Sequence, residues 1–119
     1  MHPFNYYDPK TVEEAVEVLK KFGDRAKCLA GGTDVLVQTR GERYELDAIV
    51  DVKKIPELTS VEWTDDHLII GAATPCYVLY EDPKVCEAFP GIIDSASLIG
   101  GIQIQSRASL GGNLCNASP

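Results

Sequence analysis

The sequence predicts an α+β fold, in which a small parallel βαβ sheet is followed by a second part built around an antiparallel hairpin. Three observations carry this. Strand-like and helix-like patterns alternate over residues 4–52, the order that builds a parallel sheet with crossover helices. Beyond Lys53-Lys54-Ile55-Pro56 the pattern changes to two short apolar runs around Asp65-Asp66, which reads as a hairpin. The 119 residues, 45% apolar and 24% charged, suit one globular domain. A boundary near residue 55 divides it into parts 1–55 and 56–119.

Taken in order, Phe4 to Tyr7 form a short strand that Asp8-Pro9 ends. Thr11 caps the next helix, and Glu14, three residues on, completes a capping box. Val12, Ala15, Val16, Leu19 and Phe22 share one face of it, and Gly23 supplies the stop. Ala26 to Ala30 is a buried strand running into Gly31-Gly32. Thr33-Asp34 starts a second helix through Val35, Leu36 and Val37, and Asp47 to Val52 is a third strand.

In the second part, Val61 and Trp63 pair across the turn with His67 to Ile70. Helices are expected from Cys76 to Tyr80, after Asp82-Pro83, and over residues 90–99. Ile102 and Ile104 alternate with Gln103 and Gln105, so a strand is expected to lead into Ser109-Leu110-Gly111-Gly112. The end of the sequence reads as a polar loop stopping at Pro119, a chain cut short rather than finished.

The net charge of −7 argues against nucleic acid or an anionic membrane as the main partner. No apolar run approaches the about 20 residues of a membrane span. The N-terminus lacks the basic and apolar regions of a secretory signal, so a cytoplasmic protein is expected. Cys28, Cys76, Cys86 and Cys115 include no Cys-x-x-Cys pair and stand apart from His2 and His67. They read as free thiols, with no metal bound.

Catalytic constellations are scarce. There is no Gly-x-Ser-x-Gly elbow and no Ser/His/Asp set, and His67 lies in a strand pattern beside two aspartates. The chain's own side chains are not expected to carry a reaction. The glycine segments hold more. Ala30-Gly31-Gly32-Thr33-Asp34 follows a strand and precedes a helix, where backbone amides can face a phosphate and glycine removes the Cβ in its way. It has no lysine, so it is not a Walker A loop, and it lacks the Gly-x-Gly-x-x-Gly spacing. Ser109-Leu110-Gly111-Gly112-Asn113 repeats the arrangement, with Ser109 as a donor to a phosphate oxygen. On chemistry alone the pair is either a two-sided grip on a diphosphate or two unrelated turns.

Ala30-Gly-Gly-Thr-Asp34, Ile70-Gly-Ala-Ala-Thr74 and Ile104-Gln-Ser-Arg-Ala-Ser-Leu-Gly-Gly-Asn-Leu-Cys-Asn-Ala-Ser-Pro119, in that order, resemble the FAD subunit of molybdenum hydroxylases. The group includes xanthine dehydrogenase and the medium subunit of aerobic carbon monoxide dehydrogenase. The likeness covers the whole chain, although the second segment reads Ser-Leu-Gly-Gly where many relatives have Thr-Ile-Gly-Gly. It implies an FAD-binding fold of the vanillyl-alcohol-oxidase type, incomplete here because such subunits continue further. By that resemblance Leu29, Ala30, Gly31, Gly32, Thr33, Asp34 and Val35 contact FAD, as do Ser109, Leu110, Gly111, Gly112 and Asn113. It also implies a molybdopterin-binding subunit and a [2Fe–2S] subunit as partners, with NAD or another carrier as electron acceptor. Two rival readings are a non-catalytic nucleotide- or phosphate-binding module, and a structural fragment that contacts partner subunits.

Overall fold

A computed structural model describes residues 2–117, so the Ser118-Pro119 end of the last motif lies outside the described residues. The first part is a three-stranded parallel sheet. Strand β1 (Asn5–Tyr7) and strand β2 (Ala26–Leu29) flank the central strand β3 (Ala48–Asp51). Tyr6 pairs with Ile49, and Cys28 with Val50. All four residues of β3 are buried, because helices cover both faces of a central parallel strand.

Helix α1 (Val12–Phe22) starts as its sequence dictates. Thr11 Oγ1 accepts from the Glu14 N–H at 3.2 Å, one half of the expected capping box, while Glu14 Oε2 accepts at 2.7 Å from the N–H of Lys10, the residue before the cap, in place of that of Thr11. Gly23, at φ 54°, ends it. The helix packs Ala15, Val18 and Leu19 on Val50, Val52 and Ile55. The expected apolar face is therefore rotated. Val12 and Val16 are exposed, and Val18 takes the inward place, because the helix lies across the sheet with its 15/18/19/22 stripe down. Helix α2 (Val35–Arg40) covers the opposite face, where Val35 joins Leu29, Leu46 and Ile49. Fully burying an aliphatic side chain such as Ile49 or Val50 is worth about 1.5–3 kcal/mol.

Strands β4 (Val61–Trp63) and β5 (Leu68–Ile70) form the expected antiparallel hairpin, with Trp63 opposite Leu68. Helices α3 (Cys76–Tyr80), α4 (Pro83–Ala88) and α5 (Pro90–Ser97) follow where the sequence placed them. Ala73, just after the hairpin, is buried in the same cluster as Val50 and Ile55, so the two parts share a core.

The last stretch departs from expectation. Residues Ile102–Gln105 form a helical turn, α6, and not a strand. The reason lies in the glutamine. Gln105 is buried, and its Nε2 donates to the Ser97 carbonyl at 2.8 Å at the end of α5, while Ile102 and Ile104 face solvent. Satisfying a buried amide on a helix end outweighs a four-residue alternation with no strand to pair with. Ser109 then touches the other chain segment through a single bridge to Pro75 and caps α7 (Leu110–Asn116). The second glycine segment is thus the first turn of a helix, not a loop after a strand, and the expected polar loop is helical through Asn116.

Candidate functional site

The fold brings both glycine segments to one cleft of about 500 Å³. Strand β2 delivers Ala30-Gly31-Gly32-Thr33-Asp34 at its C-terminal end. The bridge at Pro75–Ser109, with Cys76 N–H donating to the Ala108 carbonyl at 2.8 Å, sets Ser109 and α7 opposite. Ala30 through Val35, Ser109 and Gly111 through Asn113 all line the space. Leu29 and Leu110 do not. Leu29 is buried under the loop among Leu46 and Ile49, and Leu110 packs against Cys76, Ala96 and Ala108.

The glycines serve the chain's own close approach first. A Cβ on Gly31 would lie 2.0 Å from the Arg107 carbonyl oxygen, and one on Gly111 would lie 2.6 Å from Ala72. Gly32 stands at φ 78°, a left-handed conformation that side chains rarely adopt. Gly31 lets the first segment lie against residues 107–108, just before the second, and Gly111 lets α7 lie against Ala72. A hydrogen bond from Gln38 Nε2 to Asn116 Oδ1 at 3.0 Å ties α2 to α7 alongside.

Four successive backbone N–H groups, those of Gly31, Gly32, Thr33 and Asp34, have no acceptor among the described residues. The four residues are half-exposed at the start of α2, where the first N–H groups have no intrahelical acceptor, and a row of them at a cleft is an anion-binding arrangement. Across the cleft Ser109, 2% exposed, spends its hydroxyl oxygen as the acceptor for Gly112 N–H at 3.1 Å, which leaves its own O–H free to donate. Asn113 N–H is taken by the Ser109 carbonyl, while its side-chain amide has no partner among the described residues. Asp34 does not cap α2, and its carboxylate is left at the cleft.

Behind the loop lies a cation that the loop's own sequence lacks. Lys53 Nζ donates to the Ala30 carbonyl at 2.9 Å and to Asp51 Oδ1 at 2.8 Å. Asp51 is 5% exposed, and its other oxygen accepts from the Tyr6 hydroxyl. Burial pushes the Asp51 carboxyl up, but hydrogen bonds from the Lys53 ammonium, the Tyr6 hydroxyl and the Lys53 N–H outweigh it and hold it below the ordinary value. The Asp51 hydrogen bond in turn pushes the Tyr6 phenol up.

Sequence reasoning missed much of the wall. Lys27, Gln38, Tyr44, Val52, Leu58, Ala72, Ala73 and Ile99 line the cleft as well. Of these only Ala72-Ala73 had a visible signal, the small residues of the Gly-Ala-Ala-Thr segment. Lys27 Nζ stands 5.0 Å from the centre of the Tyr44 ring, a cation and an aromatic at one rim. Cys28 and Cys115 also reach the cleft as free thiols, and burial pushes the Cys28 thiol up, with Cys115 adding to it. Among the described residues no group of three or more His, Cys, Asp or Glu is placed to hold a metal ion, and no helix is long and apolar enough to cross a membrane.

A family model described as the FAD-binding domain in molybdopterin dehydrogenase matches residues 2–119. The chain belongs to this family. Within it, the carbon monoxide dehydrogenase medium chain of Hydrogenophaga pseudoflava is 33% identical over 116 residues, 98% of this chain and 40% of that one. The putative xanthine dehydrogenase FAD-binding subunit of Escherichia coli K12 is 36% identical over 115 residues, 96% of this chain and 39% of that one. The fold of the family is confirmed in three dimensions. A carbon monoxide dehydrogenase from Hydrogenophaga pseudoflava superposes with a TM-score of 0.89 at 34% identity, covering 96% of this chain and 40% of that one. A cyanide-inactivated Cu,Mo-CO dehydrogenase superposes with a TM-score of 0.93 at 30% identity, covering all of this chain and 42% of that one. The chain spans about 40% of the length of the curated relatives it matches.

Proposed function

We propose that this chain binds FAD in the cleft between its two glycine segments and serves as the flavin-binding part of a molybdenum-hydroxylase-type dehydrogenase. One observation carries the reading: the two segments that define the family resemblance line one cleft and present a run of unpartnered backbone donors to it. The residues present fit the group. A diphosphate needs donors without bulk, and Gly31, Gly32, Thr33 and Asp34 offer four N–H groups, with the Ser109 hydroxyl opposite. A volume of about 500 Å³ lies within the about 300–1,000 Å³ of small-molecule sites. Apolar groups from Val52, Leu58 and Ile99 can cover the uncharged parts of the ligand. The Asp34 carboxylate is an acceptor and repels phosphate, so it suits a hydroxyl of the ribose or ribityl chain.

Bound FAD supplies the redox chemistry, and the protein supplies binding, orientation and exclusion of water. Residues 1–55 provide the diphosphate donors and residues 56–119 the opposing wall. The chain's partners would be a [2Fe–2S] subunit and a molybdopterin-binding subunit, and bound FAD would supply the electron link between them and NAD or another acceptor.

An absorption spectrum of the purified protein, with and without added FAD, tests this reading. Oxidised-flavin bands that stay with the protein through gel filtration support it. Retention of ADP without flavin would favour a nucleotide-binding module instead, and retention of neither would favour a structural role.

A further inference from the structure

We infer that Lys53 is a positioning residue for anion binding, acting through the Ala30–Gly31 peptide group. The inference rests on the diphosphate reading of the cleft. Lys53 Nζ donates to the Ala30 carbonyl at 2.9 Å, and that carbonyl belongs to the same peptide unit as the Gly31 N–H. In a planar trans peptide the C=O and N–H bonds point in opposite directions, so their dipoles are aligned and add. A charged donor on the oxygen therefore polarises an N–H that has no partner among the described residues and lies at the cleft. Hydrogen bonds in such a chain strengthen one another.

The ammonium itself is held in place on a second side. Asp51 Oδ1 accepts from Nζ at 2.8 Å and from the Lys53 backbone N–H at 3.0 Å, while Tyr6 holds the other carboxylate oxygen. Asp51 neutralises the charge at short range, so Lys53 does not act as a free cation attracting phosphate from a distance. Its effect is directional and passes through one peptide. This resolves how a phosphate loop without a base of its own can still be electrically primed.

The test uses the full chain, with dissociation constants measured for FAD and for inorganic pyrophosphate at low and high salt. Lys53→Met is expected to weaken both about tenfold, the scale of a hydrogen bond to a charged donor. Lys53→Arg, which keeps a donor, is expected to stay within about threefold. The ratio of wild type to Lys53→Met should not change with salt, since a long-range charge effect would be screened and a hydrogen bond is not. Because Lys53→Met alone leaves the Asp51 carboxylate short of a partner, the double variant Asp51→Asn/Lys53→Met is measured beside it and should show the same loss. Equal binding by wild type and both Met variants overturns the role of Lys53 while leaving the FAD reading intact. So does a loss that shrinks with salt, or one that Lys53→Arg fails to rescue. A wild-type chain that binds neither probe overturns the FAD reading and this inference with it.

Discussion

A methyl group on Gly31 would meet the Arg107 carbonyl oxygen at 2.0 Å and the Ala108 nitrogen at 3.0 Å, both backbone atoms that cannot rotate away. Gly31→Ala must therefore push the two glycine segments apart, at a cost of about 1–3 kcal/mol typical of overpacking. Gly32 has a different constraint, since its Cβ would meet only the movable side chains of Leu29 and Leu36, but its φ of 78° strains any side chain by about 1–2 kcal/mol. Urea denaturation of the two alanine variants should show both destabilised, and only Gly31→Ala should lose the contact of the loop with residues 107–108. A Gly31→Ala protein as stable as wild type would show that the segments do not touch. Asp34→Asn keeps an acceptor oxygen for a ligand hydroxyl and removes a carboxylate that does not cap α2, so FAD affinity should change by less than about tenfold.

At the level of elements, α7 depends on Ser109. Its side chain accepts the Gly112 N–H, so Ser109→Ala should cost about 1 kcal/mol in thermal unfolding while Ser109→Thr is nearly neutral. An unchanged midpoint in Ser109→Ala would contradict the cap. These elements also show what the sequence could and could not disclose. Helix α1 was legible because its capping box and period are local, yet which valines face inward depended on how the helix lies on the sheet. Strands β1 to β3 were legible from short apolar runs, and the hairpin from its Asp-Asp turn. Helix α6 was not, because the buried residue of Ile102–Gln105 is the glutamine, and its partner carbonyl at Ser97 is fixed only by the packing of α5. The two glycine segments were visible as motifs. The contact between them, the lysine behind the first and the Lys27–Tyr44 rim all arise from chain segments brought together by folding, which no local pattern encodes.

Across the whole molecule, acidity should be its weak side. Asp8 is held down to about 2, first by its hydrogen bond from Lys54 and then by Lys10. The Arg25 hydrogen bond lowers Asp47, and Asp51 is lowered despite its burial. Each group has a folded value below the unfolded 3.8. Its contribution is complete above that value and is lost as pH falls through the folded one. The thermal midpoint should therefore be level from neutral pH to about 5 and fall from about 4 toward 2, chiefly through the buried Asp51, since the exposed pairs of Asp8 and Asp47 contribute little. A midpoint unchanged over that lower window would contradict the ion pairs. FAD binding in the cleft is tested most directly by titrating the isotopically labelled chain with FAD and following every backbone amide by NMR. Saturable shifts are expected at Gly31, Gly32, Thr33 and Asp34 on one side and at the Ser109–Asn113 turn on the other. FAD that binds while those amides stay still, or that does not bind at all, would contradict it.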